Sequence, residues 1–129
     1  MFQGLEHVGI AARDSKALAE WYIRAFGLRI VYEDGASPPA YMLQAPNGTV
    51  LEILPANAGE PARYDQRLLG LRHLAFTVTD FDGALAHLRE QGVNEFFDRR
   101  GSEGFSLIFF RDPEGNLLHL IWRARPLGS

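Results

Sequence analysis

Cysteine is absent from the 129 residues of the sequence. Disulfide bonds, thiolate zinc sites and thiol catalysis are therefore excluded. The sequence also lacks an apolar run near the ~20 residues that a membrane helix needs. Its first residues have neither the basic start nor the apolar stretch of a signal peptide. We therefore expect a cytoplasmic protein with no membrane partner.

An excess of charge of one sign is also missing. Thirteen Lys and Arg stand against 16 Asp and Glu, which gives a formal net charge of −3 at pH 7. Because no dense basic patch is present, nucleic acid is not an expected partner. Hydrophobic residues make up 47% and charged residues 22% of the chain, as in ordinary globular proteins. The length predicts one compact domain over residues 1–129.

The sequence does contain an internal repeat. Residues 4–8 (GLEHV) are echoed by residues 70–74 (GLRHL), and residues 45–54 (APNGTVLEIL) by residues 112–121 (DPEGNLLHLI). The matching positions are 66 or 67 residues apart in both cases. A constant offset over separate segments predicts two copies of one structural unit.

Each copy predicts a βαβββ module, because alternating and helical apolar patterns follow one another in the same order in both halves. Module one is expected at residues 4–54, a linker at 55–69 and module two at 70–123. We predict an α+β fold of two tandem modules related by pseudo-twofold symmetry, forming a curved, partly open eight-stranded sheet. The predicted strands are 7–12, 29–33, 40–44, 49–54, 73–79, 95–99, 106–111 and 117–122.

Four polar residues interrupt apolar strands at matching positions of the two halves. His7 corresponds to His73, and Glu52 corresponds to His119. Strand alternation places each of them on the face opposite its bulky neighbours, so the pseudo-twofold would bring all four together. Imidazoles and a carboxylate suit one divalent ion of Zn, Ni, Co, Mn or Fe. His87, on the polar side of the second predicted helix, is expected at the surface.

Residues 7–11, 25–28 and 111–120 resemble the vicinal oxygen chelate superfamily. This superfamily includes glyoxalase I, extradiol dioxygenases, methylmalonyl-CoA epimerase and the fosfomycin and bleomycin resistance proteins. The resemblance extends from Gly4 to about Arg123, and it implies metal ligands on the first and last strands of each module. By that resemblance the ligands are His7, Glu52, His73 and His119.

Two positions depart from glyoxalase I itself. The last ligand is usually a glutamate that serves as a metal-bound base in that enzyme, and here it is His119. The segment Gly9-Ile10-Ala11 also lacks the arginine associated with glutathione recognition. The resemblance is therefore specific for the fold and the metal position, and weaker for the substrate.

The resemblance implies an enzyme that chelates two adjacent oxygens of a small substrate and moves a proton, as a lyase or isomerase does. Glu52 is the first candidate for the base, and His119 is the second. A first alternative is an Fe(II) extradiol-type dioxygenase with His7, His73 and Glu52 as its facial triad. A second alternative is a non-catalytic drug-binding or small-molecule-binding protein of the bleomycin-resistance type.

Further contacts and the assembly are also expected. Tyr41, Arg99 and Arg111 lie on or beside predicted strands, where a structural role is expected and contact with an anionic or aromatic substrate is the alternative. A homodimer is expected, since it is the commonest closed assembly. The four ligands could then come from the modules of one chain or from two subunits.

Overall fold

The computed structural model describes residues 1–59 and 67–129. The chain divides into two compact units, Met1–Glu60 and Pro61–Ser129. The first contains β1 (His7–Ala12), α1 (Ser15–Phe26), β2 (Arg29–Glu33), β3 (Tyr41–Gln44) and β4 (Val50–Pro55). The second contains β5 (Leu74–Thr77), α2 (Phe81–Glu90), β6 (Phe97–Gly101), β7 (Phe105–Arg111) and β8 (Leu117–Arg123).

This order confirms the prediction of two tandem βαβββ modules. The eight strands divide into two four-stranded sheets, with the orders β1-β4-β3-β2 and β5-β8-β7-β6. In each sheet the first and last strands of the module pair in parallel, and the remaining pairs are antiparallel. In the part of the chain that the structure describes, no helix has the length and apolar character needed to cross a membrane.

Both helices begin at an aspartate that caps free backbone donors. The Asp14 carboxylate accepts a hydrogen bond of 3.0 Å from the N–H of Ala17. The Asp80 carboxylate accepts one of the same length from the N–H of Gly83. Helix α1 ends at Gly27, whose φ of 68° is the left-handed conformation that glycine adopts without a steric penalty. Both helices therefore begin, and α1 also ends, where the sequence supplies the matching cap.

The core of the first unit lies between α1 and one face of its sheet. In β4, Leu51 and Ile53 are buried, whereas Glu52 between them is only partly buried on the other face. The buried helix residues facing this core are Leu18, Trp21, Tyr22 and Ala25. Burying side chains of this size contributes roughly 1.5–3 kcal/mol each, so the apolar pattern determines which face of the sheet the helix covers.

The second unit repeats this arrangement with fewer helix contacts. Leu85 and Leu88 are the buried residues of α2. Phe110, Leu118 and Leu120 are fully buried residues of the neighbouring strands that share this face. Because Leu118 and Leu120 point into this core, His119 between them lies on the opposite face of β8.

Two strands differ from their predicted positions by two or more residues. Strand β5 spans Leu74–Thr77 and is shorter than the predicted 73–79, and β6 spans Phe97–Gly101, whereas the sequence predicted a strand at 95–99. The pairing with β7 is irregular between Phe97 and Arg100, and Asp98 there has a φ of 51°. Aspartate tolerates this left-handed conformation better than most residues. A bulge that no sequence pattern signals has therefore moved the strand. The predicted linker, 55–69, includes residues 60–66, which lie outside the described part of the chain.

Loss of the α2 cap should destabilise the protein measurably. We expect Asp80→Ala to lower the free energy of unfolding by about 1 kcal/mol, the usual cost of an uncapped helix start. The matched control is Asp82→Ala in the first turn of the same helix. Its carboxylate is exposed and lies 3.9 Å from Arg99, so its loss should change little. Urea unfolding of both variants measures the difference, and equal losses would contradict the assigned cap.

Candidate metal centre

Two of the predicted ligands meet in the first unit. The parallel pairing of β1 with β4 sets Gly9 opposite Glu52, and His7 lies two residues before Gly9 on the same face. His7 Nε2 is 3.7 Å from Glu52 Oε1. Metal bonds to such donors are ~2.0–2.2 Å long, so one cation can bridge donor atoms up to roughly 4.2 Å apart. The pair therefore satisfies the distance requirement for two ligands of one ion.

Glycine at position 9 leaves space for the carboxylate. A Cβ atom there would lie 3.3 Å from Glu52 Oε1 and 3.6 Å from Leu54 Cδ2. The first distance is tighter than ordinary van der Waals contact, so a side chain at position 9 would press on the carboxylate. The small residue thus keeps Glu52 beside His7.

Glu6 fixes the orientation of the His7 ring. Its carboxylate Oε1 lies 2.7 Å from His7 Nδ1. A carboxylate accepts hydrogen bonds, so Nδ1 is the donor to Glu6, and Nε2 is the ring nitrogen that faces Glu52. This is the support that metal-binding histidines commonly receive from a neighbouring acceptor. The sequence analysis missed Glu6, and adjacency to His7 was the one available signal.

The other two predicted ligands meet in the second unit in the same relation. Strand β5 pairs in parallel with β8, which sets Ala75 opposite His119. His73 immediately precedes β5, two residues before Ala75 and on the same face. The ring centroids of His73 and His119 are 4.8 Å apart. The second unit therefore pairs its two donors as the first unit does. The residue opposite His119 is again small, since Ala75 takes the place that Gly9 has opposite Glu52.

His119 is held in its neutral form. Its side chain is buried, and burial is the main cause that lowers its pKa from the ordinary 6.5, with His73, Arg123 and Arg100 adding to the effect. Its Nδ1 lies 3.1 Å from the carbonyl oxygen of Leu120, which can only accept a hydrogen bond. The proton therefore stays on Nδ1 and the lone pair on Nε2, as a metal ligand requires.

Aromatic rings surround the histidine pair. Phe109 stands opposite His119 across the β7–β8 ladder, and Phe97 stands opposite Phe109 across β6–β7. The Phe109 centroid is 4.9 Å from that of His119 and 5.8 Å from that of His73. Phe97 stacks on Phe109 at 6.0 Å. We call the sheet face that carries His73 and His119 the ligand face. Phe109 on β7 and Phe97 on β6 extend this face with aromatic rings, which the sequence analysis did not find.

Two guanidinium groups lie against these rings. Arg100 Cζ is 5.8 Å from the centre of Phe109, and Arg111 Cζ is 5.7 Å from the centre of Phe97. Of the three residues proposed from the sequence as substrate contacts, only Arg111 has this position. Arg99 lies over the ring of Phe81 on α2.

Tyr41 has no access to the ligand face. It is paired with Ile53 and buried in the core between sheet and helix, and burial is the first cause that raises the pKa of its hydroxyl. Tyr41 thus has the structural role that was expected for it, and the alternative of a substrate contact is wrong. His87 on α2 is exposed, as the helical pattern predicted.

Each unit thus presents one pair of potential ligands. Among the residues that the structure describes, no group of three or more His, Asp or Glu side chains is placed to hold a metal ion. The binding of one ion by all four residues stays a prediction.

The chain belongs to the glyoxalase/bleomycin resistance protein/dioxygenase superfamily, whose model matches residues 4–120. Over 119 residues it is 29% identical to biphenyl-2,3-diol 1,2-dioxygenase 3 of Rhodococcus globerulus. That match covers 90% of this chain and 61% of the dioxygenase, so the chain spans less than two thirds of that enzyme's length. The family resemblance read from the sequence is confirmed.

Solved structures share the fold. The oxidase ChaP-H2 is 28% identical, with a TM-score of 0.74 and coverage of 100% of this chain and 98% of the other. A mutant of the fosfomycin resistance protein FosX from Listeria monocytogenes is 18% identical, with a TM-score of 0.70 and coverage of 98% and 94%. That FosX structure holds Mn(II) and a dihydroxypropylphosphonic acid. At 18% identity the likeness to it shows the fold alone.

The lowered pKa of His119 predicts acid sensitivity of the metal-free protein. The unfolded chain takes up a proton at this histidine near pH 6.5, whereas the folded chain resists protonation to a lower pH. Above about pH 6.5, His119 should have no effect on how the free energy of unfolding varies with pH. Below that pH, the free energy of unfolding should fall, because the unfolded chain binds the proton more readily than the folded chain does. Urea unfolding between about pH 5 and 8 should show a smaller loss in His119→Gln than in the wild type or in His87→Gln. Identical pH profiles for all three would contradict the assignment.

Proposed function

We propose that His7, Glu52, His73 and His119 together hold one divalent cation, and that the protein is a metal-dependent lyase or isomerase. In this proposal the substrate is a small molecule with two adjacent oxygens, and the protein moves one of its protons. The observation that carries the proposal is the repeated pairing, in which each unit sets two donors side by side on the face away from its helix. Membership in a superfamily that contains many metal-dependent enzymes supports it.

The donor set fits a cation of intermediate hardness. Three imidazoles and one carboxylate suit Zn, Ni, Co, Mn or Fe better than Mg or Ca, which prefer oxygen ligands. Both histidines whose Nδ1 atoms have acceptors, His7 and His119, keep Nε2 available for a metal. The Mn(II) in the FosX structure makes manganese a reasonable first ion to test.

Each residue has a separate role in the proposed reaction. A bound cation supplies Lewis acidity toward the two substrate oxygens. Glu52 is the candidate base, because it is the one carboxylate of the set and its side chain is 27% exposed, within reach of a substrate proton. Glu6 holds the His7 ring in place during the transfer. His119 is the second candidate, and because its Nε2 is also the atom proposed to bind the cation, it would take a proton only when it is released from the ion.

The assembly remains part of the proposal. The two pairs belong to different modules, so the four ligands could be supplied by one chain or by the modules of two chains in a homodimer. A dimer is consistent with the symmetric pairing that a repeat allows. The metal content per chain is the same in both arrangements.

Metal content is the direct test of this proposal. We expect about one equivalent of Mn, Zn, Ni or Co per chain in the wild type, falling to near zero in His73→Ala and Glu52→Ala with the fold intact. Elemental analysis after gel filtration measures it, and circular dichroism checks the fold. The control His87→Ala removes an exposed histidine and should keep the ion. Equal metal content in all four proteins would contradict the ligand set.

A second candidate is an Fe(II) extradiol-type dioxygenase with His7, His73 and Glu52 as its triad. Two observations favour it: the 29% identity to a biphenyl-diol dioxygenase and the Phe97–Phe109 stack beside the histidine pair. The carboxylate would then come from the first module. His119 would be an additional ligand or a nearby base. We rank this candidate second because four protein ligands leave less room for both oxygen and substrate.

Oxygen consumption separates the two candidates. Protein loaded anaerobically with Fe(II) is mixed with catechol in an oxygen electrode, beside a chelator-treated sample. The lyase or isomerase proposal predicts no uptake above the chelated control. Sustained uptake that disappears in His7→Ala would instead support the dioxygenase. A protein that binds metal but neither consumes oxygen nor exchanges substrate protons with solvent would be a binding protein.

A further inference from the structure

We propose that the substrate of this centre carries an aromatic ring and a negative charge, which bind to Phe97, Phe109, Arg100 and Arg111. We call these four residues the Phe–Arg surface. This inference rests on the metal centre proposed above and extends it from the two chelating oxygens to the rest of the substrate.

The aromatic part follows from what adjoins the histidines. Phe109 contacts both imidazole rings, and Phe97 stacks on Phe109 one strand farther away. A substrate whose oxygens reach a cation held by His73 and His119 has its remaining atoms beside these rings. Phe109 is 4% exposed, whereas Phe97 is only half-buried, so Phe97 is the ring open to a ligand. A flat aromatic body gains stacking there, which a hydrated aliphatic chain does not.

The charge follows from the guanidinium groups on the same face. Arg100 is 54% exposed in its side chain, although Asp98 lies 3.9 Å away. Arg111 donates a hydrogen bond of 3.0 Å to the carbonyl of Gly115, which anchors it over Phe97. Arg123, at the end of β8, adds a third positive charge near His119. This concentration of positive charge around one imidazole favours an anion, and guanidinium groups bind carboxylates well.

The β6 bulge decides which arginine belongs to the surface. Without it, alternation would place Arg99 on the same face as Phe97. The irregularity between Phe97 and Arg100 instead pairs Arg100 with Leu107, on the ligand side. Arg99 is left on the helix side with Phe81 and Asp82. Two adjacent arginines of similar exposure thus face opposite sides of the sheet, and they form a matched pair for an experiment.

The repeat shows that Phe109 and Arg111 are particular to the second module, whereas the position of Phe97 is aromatic in both modules, with Tyr32 opposite Met42 as Phe97 is opposite Phe109. The position equivalent to Phe109 is Met42, which stands opposite Glu52 as Phe109 stands opposite His119. The position equivalent to Arg111 is Gln44. The shared architecture therefore does not require an aromatic ring and a cation at these positions. In the second module, Phe109 lies beside the two histidines and Arg111 lies over Phe97, where the ring and the negative charge of the proposed substrate would bind.

The test uses protein whose content of Mn²⁺ has first been measured. Calorimetry then compares three probes: 3,4-dihydroxybenzoate has the ring, the charge and adjacent oxygens, catechol lacks the charge, and glycerate lacks the ring. We expect dihydroxybenzoate to bind at least about tenfold more tightly than either of the others. Arg100→Gln should remove most of its advantage over catechol, while Arg99→Gln leaves it unchanged. Phe97→Leu should weaken both aromatic probes and spare glycerate.

The outcomes separate this inference from the proposed function. If Mn²⁺ binds but the three probes bind alike, or the two arginine variants behave alike, the substrate class is wrong and the metal centre stands. If none of Mn²⁺, Zn²⁺, Ni²⁺, Co²⁺ and Fe²⁺ binds, the proposed function fails, and benzoate is titrated into the metal-free protein. Benzoate binding lost in Arg100→Gln and kept in Arg99→Gln would still support the Phe–Arg surface. No benzoate binding would overturn it.

Discussion

The parallel pairing of the first and last strands of each module is the constraint on which the candidate centre depends. On the first strand of each module, a small residue (Gly9 or Ala75) stands opposite the ligand on the last strand. The histidine two positions before that small residue points to the same face and lies diagonally across from that ligand. In the first unit this joins His7 to Glu52, and in the second it joins His73 to His119. A slip of one residue in either register would turn one ligand of the pair into the helix-packed core. The helix that follows the first strand of each module packs on the opposite face and so favours this register.

The two units prepare their donors by different means with the same result. His7 is exposed to solvent and takes its orientation from the neighbouring carboxylate of Glu6. His119 is buried, so desolvation keeps it neutral and a backbone carbonyl holds its proton on Nδ1. In both rings Nδ1 faces an acceptor, which leaves Nε2 as the nitrogen that can bind a metal. The units differ beyond the donors, since the carboxylate belongs to the first and the aromatic and guanidinium groups to the second. This difference suggests a division between proton transfer and substrate recognition.

Much of the fold could be predicted from the sequence, because the repeat and the alternation are strong local signals. The offset of 66 or 67 residues paired the modules, and the apolar neighbours of Glu52 and His119 showed which face each occupies. Other features had no such signal. Strand β7 is apolar on both faces, so alternation could not single out Phe109.

The bulge in β6 shows the same limit most clearly. The bulge includes the left-handed backbone conformation of Asp98. Because of the bulge, Arg100 and not Arg99 lies on the ligand face. A one-residue change of register is invisible in a pattern of charged residues, yet it decides which cation adjoins the histidines. That the two pairs share one ion is still a prediction from symmetry and chemistry.

The most direct measurement of that claim is X-ray absorption at the edge of the bound metal, which counts the ligands of a single ion. The account predicts three imidazole ligands and at least one oxygen ligand, at about 2.0–2.2 Å. The imidazole count should fall to two in His7→Ala and also in His119→Ala, which lie in different modules. A wild-type ion with two or fewer imidazoles, or one unaffected by changes in one module, would contradict a centre built from both.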